Sequence, residues 1–370
     1  MPALRRAQGP SVMTLGKALN SGLRRALADD PKVIVLGEDV GVLGGVYRIT
    51  DGLQPEFGGH RVVDTPLAES GIVGTAIGLA MTGARPVAEI QFCDYIYNTI
   101  DLLKLAGNTL WCSNGAYNMP MVCMTPVGAG IRGSIYHSHS FDATATRIPG
   151  WKIVMPSNPR DAYGLLLSAI VDPNPVMYLA PKGLLRAKAN GPDERIPGEP
   201  DDDRLLSKMI DAPLGDRTQW TPQWPAVEDL FIPIGEARVA RRGSHVSVIT
   251  YGRTLPMAVK AAEELAKEGI DTEVIDLRSL HPYDWPAIVA SVKKTHKVLF
   301  VNEETEVTNF GEHLIRRTVD ELFYELWAAP KLLAGAFVPG IGLADNLEKA
   351  SVPQLEGIID AVRTLHRHQP

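Results

Sequence analysis

The chain has 370 residues, 45% hydrophobic and 22% charged, with Lys+Arg 37 against Asp+Glu 43 and a net charge of -6. At about 150 residues per domain this is two or three domains, each able to bury its own core, and wholesale disorder is excluded. The acidic balance argues against a nucleic-acid protein, which needs a basic footprint. The apolar stretch Gly71 to Ala84 is 14 residues long, short of the roughly 20 that cross a bilayer, so no membrane helix is expected.

From Met1 to Ala28 there is no acidic residue, and Arg5, Arg6, Arg24 and Arg25 are present, as in a transit peptide. Against that reading, Thr14 stands as a helix cap, and Leu15, Ala18, Leu19, Gly22, Leu23, Ala26 and Leu27 fall on one helical face. The stretch is therefore expected to be a packed first helix behind a tail over 1–12, in a cytoplasmic rather than mitochondrial protein. Short apolar runs at 32–37, 85–92, 120–125, 152–155 and 176–179 alternate with helical patterns at 69–81 and 159–171. Continuous apolar strands of this kind belong to a parallel sheet covered by helices on both faces, so the fold class is α/β. Cys93, Cys112 and Cys123 form no CxxC pair. They are expected to be buried, reduced thiols rather than a disulfide or zinc framework.

Between Lys188 and Pro233 the character changes to turn-rich, acidic and proline-rich sequence, with Trp220 and Trp224. This reads as a linker or insertion that docks through its tryptophans. A second α/β unit follows over 234–370, with strands at 245–250, 272–276 and 297–302, helices at 256–267 and 283–293, and a closing helix at 354–366. The domain division is thus 13–187, 188–233 and 234–370, and no internal repeat is visible.

In parallel sheets, chemistry collects where strands end. Thr65 is a plausible N-cap and Pro66 a plausible first helical residue, which would put Glu69 in the first turn of a nearly all-apolar helix with Gly71, Gly74 and Gly78 on a close-packing face. Glu69 is either a helix-dipole partner or a buried carboxylate with a task. The loop Gly128-Ala-Gly-Ile-Arg-Gly133 is a weak phosphate signal or a flexible substrate cover. His137 and His139, two apart, share a face if the segment is extended, and either do acid–base work or are exposed loop histidines. Asp276, Arg278, His281, Asn302, Glu303 and Glu304 lie at the ends of the later strands without a nucleophile–base pair. A structural or assembly role is expected for them.

Taken together, Leu36-Gly-Glu-Asp-Val-Gly41, Asp64-Thr-Pro-Leu-Ala-Glu-Ser-Gly-Ile-Val-Gly74, Ala88-Glu-Ile-Gln-Phe-Cys-Asp-Tyr-Ile96, Tyr136-His-Ser-His-Ser140, Pro173-Asn-Pro175 and Val274-Ile-Asp-Leu-Arg-Ser279 resemble one family. It is the beta subunit of the thiamine-diphosphate-dependent 2-oxo acid dehydrogenases, the decarboxylating first component of the pyruvate and branched-chain complexes. The resemblance covers about 13–186 and 233–368 and implies a transketolase-like pyrimidine-binding domain followed by a transketolase C-terminal domain. It implies that Glu69 hydrogen-bonds a ring nitrogen of the cofactor's aminopyrimidine, that Tyr95 packs on that ring, that Leu67 and Gln91 line the pocket, and that Glu38 supports it. It implies that His137 serves acyl transfer to the lipoyl group; the family usually has glutamine where His139 stands. It also implies a potassium site at Val122, Ala169, Ile170, Asp172 and Asn174.

The family's magnesium-holding Gly-Asp-Gly motif is missing from the sequence. The resemblance then implies that an alpha subunit holds magnesium and the diphosphate in an α2β2 heterotetramer, with a lipoyl-bearing acyltransferase core as further partner and a 2-oxo acid as substrate. Competing readings are the beta subunit of an acetoin-cleaving relative and a non-catalytic α/β scaffold. A scaffold has no reason to keep Glu69 together with Tyr95 and His137. The 188–233 stretch is longer than the family's usual connection, and nothing in the sequence gives it a function.

Overall fold

The computed structural model describes residues 12–211 and 222–368; Arg5, Arg6 and Trp220 lie outside the described residues. Strands β1 (Val33–Gly37), β2 (Val62–Asp64), β3 (Arg85–Glu89), β4 (Val122–Val127), β5 (Lys152–Val154) and β6 (Val176–Pro181) are parallel members of one sheet. Strands β7 (Arg238–Arg241), β8 (Val246–Thr250) and β9 (Thr272–Asp276) belong to a second sheet. Strand β10 (Ser279–His281) crosses back to the first sheet, and β11 (Val298–Thr305) and β12 (Lys331–Gly335) return to the second. The orders are β10-β5-β6-β4-β3-β1-β2 and β12-β11-β8-β9-β7. Central strands such as β4, β6 and β8 are buried at every position, as expected when helices cover both faces.

Helices α1 (Leu15–Asp29), α2 (Leu53–Phe57), α3 (Glu69–Met81), α4 (Ile100–Cys112), α5 (Asp142–Thr146) and α6 (Pro159–Val171) serve the first sheet. Thr14 caps α1, its hydroxyl accepting the Lys17 N–H, and all seven residues of the apolar stripe read from the sequence are buried. On the other face Trp151, fully buried, donates its indole N–H to the Leu103 carbonyl of α4 at 2.7 Å. The core on this side runs without a break into the second domain, through Ile249, Tyr251, Leu277 and Leu280.

The 188–233 stretch is docked on the first domain. Its helix α7 (Asp203–Ile210) buries Leu206 and Ile210. Trp224 lies under the Arg24 guanidinium, 4.7 Å from the ring centroid, and Asp229 pairs with Arg25 at 2.5 Å. The second domain adds α8 (Thr254–Ala266), α9 (Trp285–Thr295), α10 (Phe310–Leu322), α11 (Asp345–Ser351) and α12 (Leu355–His366). No described helix is long and apolar enough to cross a membrane.

Three local expectations are corrected. Helix α3 starts at Glu69 after Ala68, not after Thr65. The Thr65 N–H bonds the Gly37 carbonyl at 2.9 Å, which prolongs the β1–β2 pairing, and a residue before proline favours that extended backbone. Gly71 and Gly78 face outward, and a Cβ at Gly78 would meet nothing within 4 Å. The core side of α3 is Ile72, Val73, Ala76, Ile77 and Ala80, so among the described residues Gly71 and Gly78 lie off the packed face, while Gly74 approaches Leu102 of α4. Finally, Cys93 and Cys123 are buried, but Cys112 is exposed at the last position of α4, beyond the turns that pack on the sheet.

Candidate active site

Neighbouring strands β4, β3, β1 and β2 run parallel, so their carboxyl ends open on one side of the sheet. Glu38 follows β1. Leu67 and Glu69 follow β2. Gln91 follows β3, and Tyr95 lies in the 3-10 turn Cys93–Thr99 behind it. His137 comes from the loop after β4. These six residues line one cavity of about 520 Å³ together with Phe92, Asp94, Tyr97 and Asn98.

Glu69 is 8% exposed. Its Oε2 accepts a hydrogen bond from Asn98 Nδ2 at 3.3 Å, the polar partner that a buried carboxylate needs. Asn98 follows Tyr95 by three residues in the 3-10 turn, where i and i+3 share a face. That spacing in Asp94-Tyr-Ile-Tyr-Asn98 was the available signal for a residue that motif reading missed. Burial, and then the charges of Asp39 and Glu69, push the Glu38 carboxyl up. Gln91 Nε2 reaches the Glu38 carbonyl at 3.4 Å, while Leu67 stands 71% exposed at the rim. Beneath the cavity Glu89 is sealed in the sheet, and burial pushes its carboxyl up to about 7.

His137 Nδ1 lies 3.1 Å from the Gly133 carbonyl, and its Nε2 lies 2.8 Å from the Tyr95 hydroxyl. A carbonyl only accepts, so Nδ1 carries a proton, and in that tautomer of the neutral ring Nε2 accepts from Tyr95. Phe92 stands edge-on to the imidazole at 4.4 Å. His137 closes the 3-10 turn over 134–136 with ψ 21, not extended backbone, so the two-residue alternation that would put both histidines on one face is broken. His139 instead turns its ring toward Tyr97 at 5.8 Å. Its backbone N–H donates to Asp94 Oδ1 at 3.2 Å, and its carbonyl accepts from Gly128 N at 2.6 Å and Cys93 Sγ at 3.0 Å. Both histidines are half-buried, unlike free loop residues.

Val122, Ala169, Ile170, Asp172 and Asn174 cluster at the C-terminal end of α6 and the start of β4. The Ile170 carbonyl accepts Arg85 Nη1 at 2.9 Å. Asp172 Oδ2 pairs with Lys152, and its Oδ1 accepts both Asn174 nitrogens, at 2.9 and 3.0 Å. Arg85 and Lys152 therefore touch two of these five residues, Ile170 at its carbonyl and Asp172 at its carboxylate. Among the described residues no three His, Cys, Asp or Glu side chains stand together as metal ligands.

Residues 11–188 match the family "Transketolase, pyrimidine binding domain", and residues 235–358 match "Transketolase, C-terminal domain". The 2-oxoisovalerate dehydrogenase subunit beta of Bacillus subtilis (strain 168) is 38% identical over 356 residues, covering 96% of this chain and 99% of the relative. The pyruvate dehydrogenase E1 component subunit beta of Acholeplasma laidlawii is 37% identical over 361 residues, covering 97% and 100%. The corresponding subunit of Rhizobium meliloti (strain 1021) is 34% identical over 365 residues, covering 98% and 72%. Among solved structures, a split gene transketolase described as an inactive beta4 tetramer superposes with a TM-score of 0.69 at 18% identity, covering 97% of this chain and 99% of its own. That likeness concerns the fold.

Proposed function

Because this chain belongs to the family of beta subunits of the 2-oxo acid dehydrogenases, we propose that its cavity is the pyrimidine half of a thiamine-diphosphate site for oxidative decarboxylation of a 2-oxo acid, pyruvate or a branched-chain acid. The observation that carries this reading is the convergence of Glu38, Leu67, Glu69, Gln91, Tyr95 and His137, from four strand ends, on one cavity.

The residues fit the aminopyrimidine end of the cofactor. Glu69 offers a buried carboxyl oriented by Asn98, able to hold a proton at a ring nitrogen. Tyr95 and Phe92 offer aromatic walls, and Leu67 an apolar rim. When bound, the cofactor supplies the nucleophile that adds to the 2-oxo carbon and the electron sink for loss of carbon dioxide. His137 Nε2, with its lone pair toward the Tyr95 hydroxyl, is the group placed to take or return a proton during acyl transfer to a lipoyl domain.

An alpha chain holds the diphosphate and magnesium in this reading, since the sequence lacks Gly-Asp-Gly. The outer face of the first domain supports a heterotetramer. Met81 at the end of α3 is 58% exposed and Trp111 of α4 89% exposed, and apolar surface of this kind marks an interface.

Glu69→Gln in the complex with the alpha chain tests the assignment. Turnover with an artificial electron acceptor is expected to fall at least about 100-fold, the scale of lost acid–base function, with unchanged circular dichroism. Wild-type turnover would overturn the reading. The isolated chain should titrate weakly or not at all with magnesium and thiamine diphosphate in calorimetry; micromolar binding without the alpha chain would refute the two-chain site.

A further inference from the structure

The glycine-rich loop after β4 looks like a phosphate cradle in sequence, and the reading above leaves it without a task. Its backbone alternates into the left-handed region at Gly128 (φ 84), Gly130 (φ 97), Arg132 (φ 57) and Ser134 (φ 61). Alternation of this kind turns successive N–H groups inward and makes a concavity that binds anions. The concavity is filled from within the molecule. Glu348 of α11, 6% exposed, accepts both Gly130 N and Arg132 N at 3.0 Å on Oε1. Glu303 of β11, clamped by Arg253 Nε at 2.5 Å, accepts Ala129 N at 3.3 Å. The fit is tight, since a Cβ at Gly128 would lie 2.6 Å from Glu303 Oε2.

The same loop fixes the candidate acid–base group. Gly133, next to Arg132, supplies the carbonyl that fixes the His137 tautomer. A Cβ at Gly133 would lie 2.8 Å from His137 Cβ. At the other end Gly128 N holds the His139 carbonyl at 2.6 Å. The Gly128–His139 bond thus closes the loop that carries His137, and two carboxylates of the C-terminal domain hold its N–H groups.

We propose that Glu348, with Glu303 beside it, is a positioning residue for acyl transfer: its carboxylate takes the place of an anion in the loop and so sets His137 against Tyr95. This gives the C-terminal domain a part in the chemistry beyond docking, and it rests on the reading of His137 given above.

The test uses the complex with the alpha chain and compares acyl transfer to a lipoyl domain with turnover on an artificial acceptor. Glu348→Ala is expected to lower acyl transfer on the order of 10–100-fold, the effect of misplacing a reacting group by about an ångström. That loss should exceed the loss with the artificial acceptor by at least about tenfold. Glu348→Gln keeps an oxygen that can accept both N–H groups and should stay within a few-fold of wild type. Formate at about 100 mM should restore part of the Glu348→Ala activity by occupying the vacated concavity, and should leave wild type unaffected. Equal losses in both assays without a formate effect, or wild-type acyl transfer in Glu348→Ala, would overturn the inference. Should Glu348→Ala fail to assemble, Glu348→Asp, which keeps the charge on a shorter arm, must show the same selective loss. His137→Ala run in parallel separates the two levels. If it leaves acyl transfer intact, the role of His137 fails. If it lowers transfer while Glu348→Ala does not, only the positioning role fails.

Discussion

His137 is poised by two neighbours of different chemistry, a carbonyl that requires a proton on Nδ1 and a hydroxyl that donates to Nε2. With Nδ1 engaged by the Gly133 carbonyl, Nε2 is the ring nitrogen left to exchange a proton once the Tyr95 hydroxyl yields. His137→Ala in the alpha–beta complex is expected to lower acyl transfer to a lipoyl domain by about 100-fold or more while sparing part of the artificial-acceptor turnover. Equal loss in the two assays would move His137 to an earlier step. Glu69 and Glu38 show the same dependence on neighbours: Glu69 is buried but supported by Asn98, whereas the nearby Glu69 charge helps hold the Glu38 carboxyl above its ordinary range. At this scale Glu69 was legible because an acid beside an apolar helix is conspicuous. Asn98 was half-legible through its spacing from Tyr95. Glu348 was not legible at all, because it meets Gly130 across 218 positions of sequence and no local pattern encodes such a contact.

Elements were readable wherever their apolar period is a local property. Helices α3 and α6 and strand β9 occupy the residues that the pattern marks. Only the Thr65 cap departs from the expectation, because the chain around Thr65 answers to a strand pairing rather than to its own capping chemistry. The outward glycines of α3 were misread because a glycine face signals close approach without saying whether the partner is in the same chain. Gly107 of α4 is the opposite case, a glycine pressed against its own chain. A Cβ there would stand 2.3 Å from the Pro149 carbonyl oxygen and 2.9 Å from Trp151 Cδ1. Alanine is favoured over glycine inside a helix by about 1 kcal/mol, but the collision is with backbone that cannot turn aside. Gly107→Ala is therefore expected to destabilise by about 1–3 kcal/mol; a thermal midpoint at or above wild type would contradict the packing described.

Across the whole molecule the two domains meet over a buried acid pair. Asp142, at 0% exposure, accepts the Tyr251 hydroxyl at 2.5 Å. The Ser140 side chain also hydrogen-bonds this carboxyl, and the Glu304 carboxyl faces it. Burial pushes Asp142 up first, with the Glu304 charge adding to it, and burial raises Glu304 as well. The sign follows from linkage: acids held above their unfolded values stabilise fully below the ordinary carboxylate range, and that stability is lost as pH rises toward and through neutrality. The thermal midpoint should accordingly fall between about pH 4 and 7, by roughly 1–2 °C per kcal/mol lost at this chain length. Asp142→Asn, whose amide can donate to an ionised Glu304, should flatten that fall; an unchanged pH slope would mean that the pair carries no net charge penalty. The strand β10 has a consequence of its own. It is read from the second half of the chain but pairs antiparallel with β5 in the first sheet. Cutting near residue 234 would not yield two modules. It would strip β5 of its outer neighbour and bare a row of backbone donors and acceptors that invites self-association. The halves are stitched rather than strung together, so recombination or truncation that exchanges one of them must carry the crossing thread along with it.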